Sequence, residues 1–495
     1  ADTNNNLDCN IKVSNFRFIK GTALYTGGGF TLSTTGLTAI TNTKLLCCNK
    51  NTVTGSTVTP STITSLGNPQ SSTSTPFDDP AGFKFGEGGD QNLIKMGSYV
   101  GNGLAANGPE VYLGFEPQWV MLKNATGSGK WMMVDNMRGA VTDGDDPYLD
   151  AADSLEEYTT YDWIEFTSTG FKLKNTGSSL NTDDSTYVYI AIRRPDGYVG
   201  KPPEVGTDVF AMDVGNSSQT IPVFDSGFPV DFQILAKPAT NGVGRYVATR
   251  LMGGKELQTN DTGGQASATN NTFDSNVGWR KGGTNSTFIS WMFKRHAGLD
   301  VVADKGDGAT TKTIAHGLGV VPEMIWRKNR DNASDSWQVY HFGFNGGTNP
   351  QLYRMYLNTN NGENPDQWTW DSPPTATHFT VGSNGAVNRD TEDFMTMLFA
   401  TTDVSKVGFW IGDGENNRQI TTGFQPRLIL VTLANQGGGY GWQLMDSYRG
   451  FIGTGGSGNE MIRLDNTNQQ SSQNTYFTPT ATGFTITESA FNGSS

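Results

Sequence analysis

Trp131-Met132-Met133-Val134-Asp135-Asn136-Met137-Arg138-Gly139 returns with every spacing kept as Trp442-Gln443-Leu444-Met445-Asp446-Ser447-Tyr448-Arg449-Gly450, 311 residues later (442 − 131). Upstream, Gly114-Phe115-Glu116-Pro117-Gln118-Trp119 matches Gly423-Phe424-Gln425-Pro426-Arg427-Leu428 at an offset of 309 (426 − 117). Downstream, Thr169-Gly170-Phe171-Lys172-Leu173 returns as Thr482-Gly483-Phe484-Thr485-Ile486. Three blocks in one order at a nearly constant offset define an internal repeat. A third copy lies between them: Pro322 and Lys328 keep the spacing of Pro117 and Lys123, and Trp337-Gln338-Val339-Tyr340-His341 follows. The second copy is the most degenerate. Gly227-Phe228-Pro229 sets its proline one residue early, and Arg245-Tyr246-Val247 stands where the tryptophan strand belongs.

Within a copy the apolar residues form short runs, Trp119 to Leu122, Trp131 to Val134, Phe171 to Leu173 and Tyr187 to Ile192, separated by turn residues. Strands at such intervals, with no amphipathic helical stretch between them, predict antiparallel sheets packed as sandwiches. Gly101-Asn102-Gly103, Gly215-Asn216-Ser217, Gly306-Asp307-Gly308 and Gly412-Asp413-Gly414 open the copies and supply the positive φ of tight turns. The expected class is all-β, with four tandem antiparallel sandwich modules strung end to end. Their spans are 93–200, 201–298 (degenerate), 299–403 and 404–495, after a linker at 51–92 rich in Ser, Thr, Pro and Gly. Joints between modules are expected at 195–204, 296–305 and 401–406. Closing strands are expected at 186–192, 287–293 and 393–399. The fourth copy reaches Ser495 without one, so a longer parent chain, or a strand donated by a second copy, is expected to complete it.

The composition agrees. The 495 residues are 35% hydrophobic and 17% charged, with 62 glycines, a mixture suited to strands and turns. A net charge of −13 argues against a broad phosphate-binding face, so nucleic acid is not an expected partner. No apolar run reaches the roughly 18 residues of a membrane-spanning helix. Cys9, Cys47 and Cys48 read as neutral or buried thiols.

Chemistry-bearing patterns are sparse. The four histidines, His296, His316, His341 and His378, lack metal-ligand spacing and read as structural. No nucleophile elbow, phosphate loop or zinc-type cysteine spacing is present, and no catalytic residue or cofactor is expected. Asp143, Asp145 and Asp146 form a dense acidic turn, a weak calcium candidate without the alternating ligands of a dedicated loop. Glu156, Glu157, Asp162 and Glu165 could pair carboxylates for glycoside hydrolysis, but the other copies do not repeat them, and surface charge is the favoured reading. The Asp135/Arg138 and Asp446/Arg449 pairs could bind a sugar or carboxylate. Their recurrence after a core tryptophan favours a strand-end brace. Tyr353, Tyr356, Trp368 and Trp370 are candidates for a carbohydrate-stacking platform or a subunit interface.

These blocks resemble modules that recur in tail and tail-fibre proteins of marine bacteriophages, and the likeness covers about 94–495. Separately, Val13 to Thr26 followed by Thr41 to Cys48 resembles the closing segment of a concanavalin-like, laminin-G-like jelly roll in the same class of proteins. The resemblance implies a non-enzymatic virion protein on the particle exterior, a tail fibre or tail-associated component for host attachment, with host-surface glycans as ligand class. It also implies assembly with other virion proteins and with itself, a trimer being the fibre precedent. A capsid decoration or head-fibre protein and a polysaccharide-degrading tail enzyme are the alternatives.

Overall fold

The computed structural model describes residues 16–24, 37–48, 56–64, 93–105, 108–140, 144–167, 170–194, 205–216, 218, 221–268, 270–435, 440–451, 459–472, 476–487 and 491–493. The chain is all-β and divides into two units, 1–91 and 92–495. In the first, Phe16–Ile19, Thr43–Cys47 and Ser56–Val58 pair as a three-stranded antiparallel sheet with Leu46 buried. Cys47 and Cys48 are free, their sulfurs 4.0 Å apart. Cys9 and most of the jelly-roll-like segment lie outside the described residues.

The second unit repeats one topology. In module 1 a five-stranded sheet runs in the order Ile94–Val100, Thr186–Arg193, Pro117–Asn124, Met132–Asp135, Tyr148–Asp150, so the closing strand inserts between the first strand and the proline strand. A small sheet of Glu110–Tyr112, Gly170–Leu173 and Ile164–Thr167 covers one face. Period-two alternation directs Val120, Leu122, Tyr189 and Ala191 inward against Phe166 and Phe171. The larger of these, Val120, Leu122, Phe166 and Phe171, each contribute about 1.5–3 kcal/mol on burial. Module 2 places its closing strand Ile289–Phe293 between Phe210–Val214 and Phe232–Ala236. Module 3 places Asp393–Phe399 between Leu299–Lys305 and Met324–Asn329. In module 4 the order is Leu428–Val431, Gln443–Asp446, Glu460–Arg463, Ser471–Ser472, and among the described residues no strand pairs with the outer edge of Leu428–Val431.

The opening turns recur as expected in three modules: Gly103, Gly308 and Gly414 have φ of 65°, 65° and 77°. Ser217 lies outside the described residues. A buried asparagine, Asn181, Asn388 or Asn492, then donates its Nδ2 to a carbonyl of the turn, that of Leu104, Ala309 or Glu415, at 2.7–3.0 Å.

Two features differ from the expected string. The stretch 296–305 is no joint: His296 bridges to Leu299, and Leu299–Lys305 is the first strand of module 3, its apolar Leu299, Val301 and Val302 all buried. Moreover, modules 2, 3 and 4 do not stand on independent cores alone. Each keeps a small core between its two sheets, but the outer faces of their large sheets converge on one further core containing Phe232, Trp291, Trp326, Trp337, Met397 and Trp442. Strands such as Phe232–Ala236 and Asp393–Phe399 are apolar on both faces, and burying both requires a neighbour on each side.

Candidate functional site: the outer faces of the large sheets

Backbone pairing aligns the modules residue by residue. The carbonyls of Trp131, Arg245, Trp337 and Trp442 accept from the amides of Ala151, Thr259, Leu357 and Leu464. These four positions are therefore equivalent, and so are the preceding Asp150, Gln258, Tyr356 and Arg463.

The contacts between modules use these positions in a closed cycle. Trp337 of module 3 donates its indole N–H to the Gln258 carbonyl of module 2 at 2.8 Å. Trp442 of module 4 donates to the Tyr356 carbonyl of module 3 at 2.9 Å. Arg245 of module 2 donates Nε to the Arg463 carbonyl of module 4 at 3.0 Å. The arginine that breaks the tryptophan pattern thus keeps the bond the tryptophan makes, because both side chains carry a planar N–H donor. Burial pushes the Arg245 guanidinium down to about 10, with Arg449 nearby adding to the effect. Rings interlock around the cycle: Phe232 on Trp326 at 6.5 Å and Trp326 on Trp442 at 6.4 Å, both edge to face. Trp291 of module 2 donates to Asp446 of module 4 at 3.0 Å. Lys328 of module 3 donates to the Thr262 carbonyl of module 2 at 3.2 Å, and its burial pushes its ammonium down to about 8.

A second contact set joins modules 1, 2 and 3. Glu116, beside the repeat proline Pro117, pairs with Arg295 and lies 3.6 Å from Arg194. Asp231 accepts from Arg194 Nη2 at 2.6 Å and from the Arg295 amide at 2.8 Å, with Arg250 Nε at 3.5 Å. Asp300 accepts from Arg295 Nε at 2.7 Å and from the Gly317 amide at 2.7 Å. All six side chains are buried. Three carboxylates balance three guanidiniums there, as burial of charge requires.

The Asp–Arg pairs are braces with identical geometry. Arg138 donates Nε to Asp135 at 2.5 Å and Nη2 to the Met133 carbonyl at 3.1 Å, while its amide donates to Asp135. Arg449 does the same with Asp446 at 2.6 Å and the Leu444 carbonyl at 3.2 Å. Asp143 lies outside the described residues. Asp145 accepts from the Tyr161 amide, and fully buried Asp146 accepts from the amides of Trp163 and Ile164 at 2.6 and 2.8 Å. That arrangement closes a loop, and among the described residues no group of three or more potential ligands could hold a metal. The four aromatics of module 3 do not form one platform. Trp370 is buried against Tyr340, Tyr353 packs on the shared core, the half-buried Tyr356 ring carries the Arg354 guanidinium 5.1 Å from its centre, and Trp368 is 57% exposed. Pro117 opens the strand Pro117–Asn124, whereas Pro322 and Pro426 precede Met324–Asn329 and Leu428–Val431.

The histidines are wired into the backbone. His296, His316 and His341 each accept through Nδ1 from the amide two residues on, at 3.0, 3.3 and 3.0 Å. His378 contacts the Thr375 hydroxyl at 3.0 Å. Burial, with Lys294 adding to it, pushes His296 down to about 4, and burial alone does so for His341. These folded values lie below the unfolded 6.5, so as pH falls from 6.5 toward 4 the unfolded chain takes up protons that the folded chain refuses. Stability is therefore lost across that window, about 3 kcal/mol for each fully shifted histidine. Urea unfolding at pH 7 and pH 4.5 measures this, and His341→Gln, which keeps an acceptor for the Gly343 amide, is expected to remove a large share of the difference.

Among the described residues, several side chains on the same outer face of module 1 are exposed. Met96 is 71% exposed, Ile94 56% and Trp131 38%, whereas Arg245, Trp337 and Trp442 are buried. Among the described residues, Lys123, the counterpart of Lys328, bonds the adjacent Asn124 carbonyl at 2.7 Å and reaches no other module.

Repeated two-sheet modules, three of them locked into a ring, define a tandem β-sandwich protein whose polar groups brace strands and join modules. The chain belongs to the family described as Domain of unknown function (DUF7483), which it matches over residues 22–194 and 253–495. No curated protein matches it. The sequence pointed to the Trp, Asp and Arg positions; it missed Asn181, Asn388 and Asn492, which recur late in copies 1, 3 and 4, and the charges of the junction, whose partners lie in different modules.

Proposed function

We propose that the chain is a non-enzymatic structural protein of a bacteriophage particle, a tail fibre or tail-associated component that displays surfaces for attachment to the host cell. The observation that carries this reading is the ring: side chains with the chemical capacity for catalysis or recognition are spent on backbone carbonyls of neighbouring modules, an arrangement suited to a rigid scaffold. The likeness of the repeats to tail-fibre modules of marine phages supplies the viral setting. Host-surface glycans are the ligand class, with exposed Trp368 offering an apolar face for sugar C–H groups. Many weak contacts, multiplied over copies on one particle, give the avidity such attachment needs. Labelled-antibody electron microscopy of purified particles, with an antibody to module 3, tests the placement. Label on the tail is expected. Label over the capsid lattice, or none on the particle, overturns the reading.

A further inference from the structure

We propose that the chain assembles as a homotrimer in which the outer sheet faces of three module 1 copies pack together as those of modules 2, 3 and 4 do within one chain. This inference does not rest on the viral reading. Three observations carry it.

The first is register. Pairing with the closing strand makes Ile94, Met96, Trp119, Met121, Val188 and Ile190 the counterparts of module 3's Leu299, Val301, Met324, Trp326, Met395 and Met397. Every one of those module 3 residues belongs to the shared core or packs against it. The module 1 residues are as apolar, yet several stand in solvent.

The second is the donor and acceptor pair. In the ring, each module donates from its tryptophan position to one neighbour and accepts at the end of its next strand from the other. Module 1 retains both halves, the Trp131 indole N–H and the Asp150 carbonyl, and no described residue accepts that N–H. The ring inside the chain has no vacancy for module 1, because its three donors and three acceptors already serve one another. The occupant must therefore bring a planar N–H donor and a carbonyl that can accept it, and a second copy of module 1 has both: the Asp150 carbonyl, which takes the Asp153 amide at 3.4 Å, keeps a second lone pair.

The third is patterning. A strand with one face in water normally alternates apolar residues, turned inward, with polar residues, turned out. Thr186–Arg193 reads TYVYIAIR and Ile94–Val100 reads IKMGSYV, with Val188, Ile190, Ile192, Ile94 and Met96 on the outer face. Such a face on a folded protein marks a contact.

Three is the number fixed by geometry. A head-to-tail contact closes when its rotation returns to the start, and the same contact between modules 2, 3 and 4 closes after three. In the trimer, Trp131 of each copy donates to the Asp150 carbonyl of the next.

Sedimentation equilibrium of the full chain under reducing conditions tests this. A species of about 160 kDa, three times 53.4 kDa, is expected at micromolar concentration. A wild-type chain that stays at 53.4 kDa, or one that stops at a dimer, overturns the proposal. The double variant Met96→Glu/Val188→Glu places charge on exposed positions and is expected to sediment as a monomer with an unchanged circular dichroism spectrum. Persistence of the trimer in that variant overturns the surface assignment. Trp131→Phe keeps the ring but removes the donor from three bonds, and is expected to lower the trimer association constant by about 100-fold. An unchanged constant overturns the pairing with Asp150.

Discussion

Asp231→Asn is expected to destabilise the chain by about 3–5 kcal/mol, because it leaves buried guanidiniums without a balancing charge. Asp231 meets Arg194 of module 1, Arg250 of its own module and Arg295 at the entrance to module 3. Asparagine has the same shape and can still accept one or two of these bonds, so the loss reports charge and not volume. Desolvation of Arg194, Arg250 and Arg295 is already complete in the fold, and none can reach water without separating modules. Urea unfolding followed by tryptophan fluorescence measures the shift. Asp153→Asn serves as the comparison, since the pair of Lys130 and Asp153 is solvent-accessible and exposed pairs contribute below about 1 kcal/mol. Equal costs for the two variants would contradict the assignment of the junction as an electrostatic lock.

Trp337→Ala should cost a similar amount, about 3–5 kcal/mol, by a different route. The side chain is fully buried in the shared core and its N–H holds module 2. Truncation opens a cavity where three sheets meet and leaves the Gln258 carbonyl without its partner. Trp368→Ala, at an exposed position, is expected to stay within about 0.5 kcal/mol of the parent. Trp337→Phe separates the two contributions: it fills most of the cavity and removes only the donor, so its cost is expected to fall to about 1–2 kcal/mol. If alanine and phenylalanine prove equally costly, the bond and not the packing carries the position.

How far the amino-acid sequence discloses this arrangement depends on the range of the interaction. Strand positions were legible because alternation is local: the run from Asp393 to Phe399 predicts the observed closing strand Asp393–Phe399. The Asp–Arg braces were legible because they repeat at fixed spacing within one turn of chain. The ring was hidden, since each of its bonds joins residues of different modules and nothing in a strand names its partner. One trace was present in Arg245, whose substitution for tryptophan looks like decay of the repeat but preserves a planar N–H donor. A second lay in strands apolar on both faces, which do not belong at a solvent boundary. The aromatic quartet of module 3 misled for the complementary reason: Trp368 and Trp370 are two residues apart, but only the fold reveals that one is exposed and the other buried.

Closure of the ring also sets an order of events during biosynthesis. Arg245 cannot find its acceptor until Arg463 exists, 218 residues further along. At about 5–20 residues per second, translation leaves an interval on the order of 10–40 s in which the nascent second module has a sticky flank and no mate. Contacts of such long sequence separation are slow to form. Module 4, made after modules 2 and 3, therefore acts as the clasp, and ribosomes crowded on one message would bring like flanks of neighbouring nascent chains together before each chain can fasten its own.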